Sequence, residues 1–284
     1  MGMRSLLRGL TEIAPVRAVV RGIGLASWAR RAYHRTAAPD GIFRAEIAGV
    51  AFRLHARTGH ELIWLEGAVV TNRDWSERHA LETMLRFVQP GDVVYDVGAN
   101  LGLYSVALAE RVGAEGEVVC FEPRASTFER LKANIELNKL KHVRSFQKAL
   151  GEEAARVPIY TLPDEPWRSS LIQEPDIARR KNLGVEYVEV EVGDAFRRVH
   201  ELPLPRAVKI DVEGSEYAVM RGLAQTLGAP HCQFVGCEVH PHLLPDGLTV
   251  KSITDLLRSY GFCRFDIRNC GLDQKLDAYK TDTN

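Results

Sequence analysis

One stretch of this chain decides its fold: Val93-Val94-Tyr95-Asp96-Val97-Gly98-Ala99-Asn100-Leu101-Gly102. Its first five residues form a short, mostly apolar run, which is typical of a strand buried on both faces of a sheet. The two glycines allow the backbone to turn tightly and to approach a ligand closely. Helical periodicity follows over residues 103–112, so the positive end of a helix dipole faces this turn. The stretch therefore predicts a strand, a ligand-binding turn and a helix.

The alternation of strand and helix continues along the chain. We predict strands at 93–97, 118–121, 143–149, 157–160, 185–192, 207–211, 232–239 and 263–267, with 274–280 as a final edge strand. We predict helices at 76–88 (with Ser76 as N-cap), 103–112, 126–138, 216–227 and 253–260. Such alternation specifies a parallel sheet with right-handed crossovers, and so the fold class is a doubly wound, Rossmann-like α/β domain.

Composition narrows the classes of protein. The 284 residues suffice for one large α/β domain with appendages. Lysine and arginine total 37, as do aspartate and glutamate, so the formal net charge is zero. The chain therefore lacks the positive charge of a nucleic-acid binder, and no nucleic-acid partner is expected. Five cysteines, an odd number without CxxC spacing, favour a reduced, cytoplasmic protein.

Residues 1–36 form a basic segment in which seven arginines face a single acid, Glu12, and apolar residues recur at roughly helical spacing. No apolar run approaches the ~20 residues of a membrane span. Arginines interrupt every candidate core of a cleavable secretory signal. Three interpretations remain: a helix packed on the domain or a partner, a basic amphipathic helix on a membrane surface, or a targeting segment. We assign 1–69 to an extension with this helix and a β-hairpin around Gly49, and 70–284 to the α/β domain.

A second irregular segment lies at residues 163–181, which are rich in Pro, Asp, Arg and Ser. A loop of this length inside a compact domain is often functional, for example as a lid or a substrate loop. A surface insertion without such a role is the alternative.

Two details of the glycine-rich turn bear on its ligand, which could be a dinucleotide pyrophosphate or the amino-acid part of S-adenosylmethionine. The dinucleotide fingerprint GxGxxG has a second glycine where Asn100 stands. Asp96 begins the turn with a carboxylate that a pyrophosphate would disfavour and a cationic ligand would tolerate. Glu122 ends the second strand, 20 residues after Gly102, where a carboxylate can accept both ribose hydroxyls of an adenosine. A surface acid at the next helix is the structural alternative for Glu122.

Two separate blocks carry a resemblance to a known family. Residues 91–105, GDVVYDVGANLGLYS, resemble the opening of the FkbM family of methyltransferases, and residues 208–216, VKIDVEGSE, resemble its other hallmark. With Phe121-Glu122-Pro123 and the strand end at Glu238 and His240, the similarity runs from about Glu77 to Ile267. The resemblance implies an S-adenosylmethionine-binding fold with a seven-stranded sheet. It also implies O-methylation of a hydroxyl on a saccharide or a secondary metabolite. A lipid-linked acceptor would suit a basic helix that lies on a membrane surface.

The expected cofactor-binding residues follow the turn and the strand ends: Glu77, Asp96, Gly98, Asn100, Gly102, Glu122, Ala149 and Asp211. The turn residues should shape the methionine pocket, with Asp96 near the ammonium group of the cofactor. Glu122 should hold the ribose, and Ala149 should pack beside the adenine. Glu77 resembles a family position ahead of the first strand that closes over the cofactor; an acid stabilising a helix dipole is its alternative.

The expected catalytic residues are Lys209, Asp211, Glu213, Glu238 and His240. Asp211 and Glu213 follow a strand at the topological switch point, so these acids should face the transferring methyl group. Lys209 could pair with one of them or only support the strand. An alcohol needs help to lose its proton, and we favour His240 as the base because its ordinary pKa suits proton transfer near neutrality.

Several alternatives stay open at this stage. Glu238, His240 and His242 could share one face and bind a metal with Asp211, but Pro241 breaks the pattern, and we assign no metal. An NAD-dependent oxidoreductase and a catalytically silent cofactor-binding protein are the rival functions, and N-methylation is a variant of the favoured one. The expected partners are a small-molecule or glycan acceptor, a membrane surface at residues 1–36, and a second copy of the chain.

Overall fold

The computed structural model describes residues 25–70, 77–162, 165–170 and 184–280. The first elements in chain order are α1 (Leu25–Ala37), β1 (Ile42–Ile47), β2 (Val50–His55), α2 (Gly59–Val70), α3 (Glu77–Phe87), β3 (Val93–Val97), α4 (Leu103–Val112), β4 (Glu117–Phe121), α5 (Ala125–Leu137) and β5 (Val143–Phe146). They are followed by β6 (Ala149–Gly151), β7 (Ala155–Leu162), β8 (Glu165–Ser170), β9 (Gly184–Val192), α6 (Gly193–Val199), β10 (Ala207–Ile210), α7 (Glu216–Gly222), α8 (Ala224–Gly228), β11 (Phe234–Val239), α9 (Val250–Ser259), β12 (Arg264–Cys270) and β13 (Asp273–Tyr279).

The central sheet has seven strands in the order β12-β13-β11-β10-β3-β4-β5. The five strands from β11 to β5 are parallel to one another, whereas β13 runs antiparallel to both β11 and β12. The strand order reverses at β3, because β4 and β5 lie on one side of it and β10 and β11 on the other. The predicted doubly wound α/β fold is confirmed, and the point of reversal is where such sheets bind ligands.

Two apolar cores cover the two faces of this sheet. One core combines the β1–β2 hairpin with α2, α3, α4 and α5, and the other is built from α6, α7, α8 and α9. On β3, Val94 belongs to the first core, whereas Tyr95 and Val97 belong to the second, as alternate side chains of a strand must. The hairpin thus buries its apolar side chains against the domain, while the boundary at residues 69 and 70 stays a prediction.

The prediction that residues 274–280 form an edge strand is wrong. β12 and β13 form a hairpin, and β13 lies between β12 and β11, so β12 is the edge. Leu276 and Ala278 are fully buried, whereas Ile267 on β12 is exposed. The charged residues Lys275 and Asp277 of β13 are both buried in polar contacts within the sheet.

Two other predicted elements are divided in the structure. The strand predicted at 143–149 is two strands, because the chain leaves the central sheet after Phe146 and enters a four-stranded sheet in the order β6-β9-β7-β8. The helix predicted at 216–227 is broken at Leu223 into α7 and α8. Gly222 packs so closely on Gly151 that an added Cβ would lie 1.8 Å from the Gly151 carbonyl oxygen. That close packing places the end of α7 directly on β6.

The remaining differences concern boundaries and irregular segments. α9 begins before its predicted start because Thr249 and Ser252 form a capping box. Part of the loop predicted at 163–181 forms β8, which pairs with β7. The rest of that loop, the Ser76 cap and most of the basic segment lie outside the described residues. Among the described helices, none is long and apolar enough to cross a membrane.

Candidate active site

The carboxyl ends of β3, β4, β10 and β11 meet at one edge of the sheet, where ligands bind in open α/β folds. A cleft of about 750 Å³, partly open to solvent, lies at this edge. Six of the residues predicted from the sequence line it: Gly98, Asn100, Glu122, Ala149, Asp211 and Glu213.

The glycine-rich turn needs its glycines for two reasons. Gly98 and Gly102 have φ angles of 81° and 89°, in the region that L side chains rarely adopt. A Cβ on Gly98 would lie 1.8 Å from the Asp211 carbonyl oxygen, so the turn packs directly on the end of β10. Asn100 also has a positive φ of 51°, which asparagine tolerates better than most residues. At Gly98 the turn therefore lines the cleft with backbone atoms and no side chain.

Glu122 lies at the end of β4 with its carboxylate already held in place. One carboxylate oxygen accepts a hydrogen bond of 3.0 Å from the Asn100 backbone N–H, and the other accepts one of 3.0 Å from the Arg124 N–H. Burial raises the pKa of Glu122 to about 7, against the opposing effect of these hydrogen bonds. Each oxygen keeps a further lone pair, so the carboxylate can still accept hydroxyl groups from a ligand in the cleft.

An apolar wall stands beside Glu122. Ala149 begins β6 and is buried, and it lines the cleft together with Phe121, Leu150 and Ile159. The separation of β6 from β5 creates this wall, because the chain turns away from the central sheet next to the cleft. A flat apolar ring would fit between these side chains.

Lys209 lies beneath the turn and joins three groups. Its ammonium donates a hydrogen bond of 2.7 Å to the Gly98 carbonyl oxygen and lies 3.3 Å from Asp96 Oδ1 and 3.4 Å from Asp211 Oδ2. Although burial opposes its charge, the adjacent carboxylates raise the pKa of Lys209. Asp96 is fully buried below the cleft and accepts a hydrogen bond of 2.6 Å from Ser105 Oγ. Lys209 therefore pairs with Asp211, as predicted, and also with Asp96.

A second buried lysine connects α3 to the sheet. Lys275 on β13 contacts the carboxylates of both Glu77 and Glu238, and the Tyr104 hydroxyl donates a hydrogen bond of 2.8 Å to Glu77. Burial and the nearby Asp211 charge raise the pKa of Glu238. For Glu77, the charge of Lys275 outweighs burial and lowers the pKa. The structure thus brings Glu77 and Glu238 together through a lysine.

His240 follows the end of β11 and is buried. Its Nδ1 lies 2.7 Å from Glu216 Oε1, and its Nε2 lies 3.5 Å from Glu213 Oε2. Burial disfavours the imidazolium, but the hydrogen bond to Glu216 and the charges of Asp211 and Glu213 outweigh it and raise the pKa of His240 to about 10. Glu213 has a φ of 50°, and this strained backbone directs its carboxylate toward His240.

Asp211, Glu238 and His240 also form the triad that could hold a metal, since one ligand atom of each lies within 4.8 Å of the others. His242, which the sequence pattern placed with them, has its Nδ1 3.5 Å from Asp273 instead. Asp211 and Glu238 each already have a lysine ammonium as partner. We therefore derive no chemical step from a metal ion at this position.

Four residues of this site were not assigned a role from the sequence: Tyr104, Ser105, Glu216 and Lys275. Glu216 was visible as the last residue of the second motif block, but its partner lies 24 positions further along the chain. Lys275 lies 198 positions from Glu77, on a strand whose place in the sheet depends on the antiparallel hairpin. Tyr104 and Ser105 lie within the first motif block and Glu216 lies within the second, so the two blocks were the available signal for these three residues.

The fold and the site define the class of protein. A seven-stranded sheet with one antiparallel strand inserted beside its edge, a glycine-rich turn after β3 and an acid at the end of β4 form a class I methyltransferase domain. The sequence profile described as "Methyltransferase FkbM domain" matches residues 96–263. The chain belongs to this family of methyltransferases, which confirms the resemblance found in the sequence.

Three curated relatives support the assignment. The chain is 30% identical over 235 residues to 31-O-demethyl-FK506 methyltransferase FkbM of Streptomyces tacrolimicus, covering 73% of this chain and 84% of that protein. It is 28% identical over 219 residues to hexuronic acid methyltransferase AglP of Haloferax volcanii, covering 75% and 78%. Methyltransferase 1 of Beauveria bassiana is 28% identical over 144 residues, and the match covers 46% of this chain and 57% of that protein.

Proposed function

We propose that this chain binds S-adenosylmethionine in the cleft beside Glu122 and transfers its methyl group to a hydroxyl of a saccharide or secondary metabolite. The observation that carries the proposal is the arrangement at one sheet edge. The backbone turn, Glu122, Asp211 and Glu213 line the cleft, and the buried His240 lies 3.5 Å from Glu213. Such an edge can hold a nucleoside and a proton acceptor close together.

The residues present fit this cofactor. Glu122 has lone pairs for the ribose hydroxyls, and the wall that contains Ala149 suits the adenine ring. The carboxylates of Glu122, Asp211 and Glu213 line the cleft, so they favour a sulfonium cation and disfavour the pyrophosphate of NAD. Lys209, paired with Asp96, positions the turn through its hydrogen bond to the Gly98 carbonyl oxygen. The pair of Glu77 and Lys275 fixes α3 against the sheet.

The cofactor supplies an electrophilic methyl group, and the protein must place and deprotonate the acceptor. His240 is the proposed base, because its Nε2 lies 3.5 Å from Glu213, which lines the cleft. Its raised pKa of about 10, in place of the ordinary value expected from the sequence, keeps the ring protonated near neutrality, so the base is the deprotonated fraction, which grows with pH. Asp211 and Glu213 stabilise the proton once it is on the imidazole. Positioning of the two reactants contributes the rest of the acceleration.

The charges at this edge favour an uncharged group of the acceptor at the reacting position. Asp211, Glu213 and Glu238 contribute three carboxylates, whereas the ammonium groups of Lys209 and Lys275 are both held by acids. A carboxylate acceptor would meet repulsion, while a hydroxyl would find hydrogen-bond acceptors. Two relatives carry names that refer to a hexuronic acid and to FK506. The carboxylate of a hexuronic acid would have to lie away from these acids, with a hydroxyl at the reacting position.

The basic segment at residues 1–36 suggests that the protein meets its acceptor at a membrane surface. Its arginines would attract an anionic membrane surface, which suits a lipid-linked saccharide on the cytoplasmic side. The described part of this segment is α1, where the Tyr33 hydroxyl donates to the Glu66 carboxylate of α2. Sedimentation with anionic vesicles, compared with neutral vesicles, tests this location, and light scattering tests for a second copy.

Calorimetric titration tests the cofactor. We expect S-adenosylmethionine to bind with micromolar affinity, NAD not to bind, and Glu122→Ala to lose at least tenfold in affinity. Glu117→Ala is the matched control, because Glu117 is at the opposite end of β4 and pairs with Arg144. Binding of NAD in place of S-adenosylmethionine would contradict the proposal and favour an NAD-dependent oxidoreductase.

Transfer of a radioactive methyl group to pooled hydroxyl and amine acceptors tests the reaction. We expect labelled hydroxyl products from the wild type, a loss of at least a hundredfold in His240→Asn, and little change in His242→Asn. Cofactor binding without transfer to any pool would favour a catalytically silent binding protein. Labelled amines alone would replace O-methylation by N-methylation.

A further inference from the structure

We infer that Glu216 is a positioning residue that fixes the proton of His240 on Nδ1 and leaves Nε2 free to take the proton of the acceptor. The inference rests on the proposed function of His240. It assigns a role to Glu216, which had none from the sequence motifs. The contacts of its fully buried carboxylate support the inference.

Glu216 is buried, and no lysine or arginine among the described residues pairs with it. It is 0% exposed, and Oε1 accepts hydrogen bonds from His240 Nδ1 at 2.7 Å and from the Gly214 backbone N–H at 2.9 Å. Oε2 has no hydrogen-bond partner within the described part of the chain. Burial of a carboxylate is costly unless a charge or hydrogen bond compensates it. Among the described residues, the cationic group that can compensate Glu216 is the imidazolium of His240.

The contact decides which ring nitrogen is available. A neutral imidazole carries one proton, and a carboxylate accepts hydrogen bonds but donates none. Nδ1 must therefore keep the proton that it donates to Glu216, and the lone pair is on Nε2. That nitrogen is the one beside Glu213, a residue that lines the cleft. The geometry matches the requirement for a base whose tautomer is fixed by a buried acid, as in the Ser-His-Asp triad.

The resulting step balances in atoms and charge. The step starts from the neutral ring, which is the form that His240 takes as the pH approaches 10. The hydroxyl proton bonds to Nε2, the oxygen electron pair forms the bond to the methyl carbon, and the carbon–sulfur pair stays on sulfur. His240 becomes an imidazolium that donates from both nitrogens, to Glu216 and toward Glu213. The proton then leaves to water when the products depart.

The ionisable groups that face His240 come from three parts of the chain. Asp211 and Glu213 lie in the loop after β10, Glu216 begins α7, and Glu238 lies on β11, while the His242 ring is 6.4 Å away. The carboxylates together raise the proton affinity of His240. Glu216 differs from the others because it is fully buried and makes the shortest contact with the ring.

Nitrogen-15 NMR of the histidine side chains tests the inference without a known acceptor. The His240 signals are assigned by their loss in His240→Asn. In the wild type we expect His240 to be doubly protonated at pH near 8, and to keep its proton on Nδ1 when it is deprotonated at higher pH. In Glu216→Gln we expect a loss of at least tenfold in proton affinity and a mixture of tautomers.

The matched control is Asp194→Asn, which changes another buried carboxylate that accepts backbone N–H groups at the start of α8. Its His240 titration should equal that of the wild type. A wild-type ring with its proton on Nε2, or a Glu216→Gln titration equal to the wild type, would overturn the inference. Since the wild-type tautomer needs no variant, poor folding of Glu216→Gln leaves the test intact.

A cofactor titration separates this inference from the proposed function. Glu216→Gln should bind S-adenosylmethionine within about twofold of the wild type, because Glu216 does not line the cofactor cleft. Failure of both proteins to bind the cofactor would reject the proposed function, whereas an unchanged His240 in a cofactor-binding Glu216→Gln would reject only the role of Glu216.

Discussion

The ammonium group of Lys209 lies 2.7 Å from the carbonyl oxygen of Gly98, so a side chain of β10 holds the turn that follows β3. The same ammonium lies between the carboxylates of Asp96 and Asp211. One buried cation therefore compensates two acids and fixes a backbone segment that lines the cleft. β3 and β10 are neighbours in the sheet, so Lys209 reaches the turn from the adjacent strand.

Replacement of this lysine should damage both stability and cofactor binding. Lys209→Met leaves two carboxylates without their ammonium, and loss of one partner of a buried pair costs about 3–5 kcal/mol. We expect that decrease in the free energy of unfolding in urea and at least tenfold weaker binding of S-adenosylmethionine. Lys251→Met is the control, because Lys251 pairs with Asp255 on the exposed face of α9. Equal behaviour of the two variants would contradict the role given to Lys209.

The titration of Glu122 should leave a measurable trace in the pH dependence of stability. Its pKa is raised in the folded protein from 4.5 to about 7 by burial. A raised pKa means that the folded state prefers the protonated group, so its stabilisation is present below pH 4.5 and is lost as the pH rises through 7. The change amounts to about 3 kcal/mol.

Glu122→Gln removes this titration and gives the measurement. The free energy of unfolding of the variant minus that of the wild type should rise by about 3 kcal/mol between pH 4.5 and pH 8. The difference between the two proteins cancels other titrating groups. A constant difference over this range would mean that Glu122 is as well solvated when folded as when unfolded.

The sequence predicted the parts of the site that depend on local chemistry. The turn glycines and Glu122 were recognised because their spacing follows from one strand–turn–helix unit. Lys275 was missed because its contact with Glu77 depends on the insertion of β13 between β11 and β12, which strand periodicity does not encode. Glu216 was part of a recognised block, but its role depends on the neighbouring positions of β10 and β11, which bring His240 within 2.7 Å.

Ligand charge should also reveal how near His240 is to the transferred methyl group. S-adenosylmethionine carries a positive sulfonium, whereas S-adenosylhomocysteine lacks both the methyl group and that charge. If Nε2 faces the reacting centre, S-adenosylmethionine should lower the pKa of His240 by about one unit or more relative to S-adenosylhomocysteine.

His142 provides the control in the same NMR spectra. Its Nε2 contacts the Ala109 carbonyl oxygen on α4, away from the cleft. Its titration should be the same with either ligand. An equal pKa of His240 in the two complexes would move the base away from the methyl group and favour another of the acids as proton acceptor.

The N-terminal hairpin should influence the cofactor turn through a single asparagine. Asn134 on α5 is fully buried, donates a hydrogen bond of 2.7 Å to the Leu101 carbonyl oxygen of the turn, and accepts one of 2.7 Å from the His55 backbone N–H of β2. Asn138, one helical turn later, accepts a hydrogen bond from the Arg53 backbone N–H and donates one to the Arg53 carbonyl oxygen on the same hairpin.

The two asparagines form a matched pair of variants. Asn134→Ala leaves a buried carbonyl and a buried N–H without partners, so we expect a loss of about 2–4 kcal/mol in unfolding free energy. We also expect at least fivefold weaker binding of S-adenosylmethionine, because the turn loses its attachment to α5. Asn138→Ala should lower stability by about 1 kcal/mol and leave the dissociation constant unchanged. Calorimetric titration of both variants with S-adenosylmethionine tests this prediction. If Asn134→Ala and Asn138→Ala bind the cofactor with equal affinity, the hairpin stabilises the domain without shaping the turn.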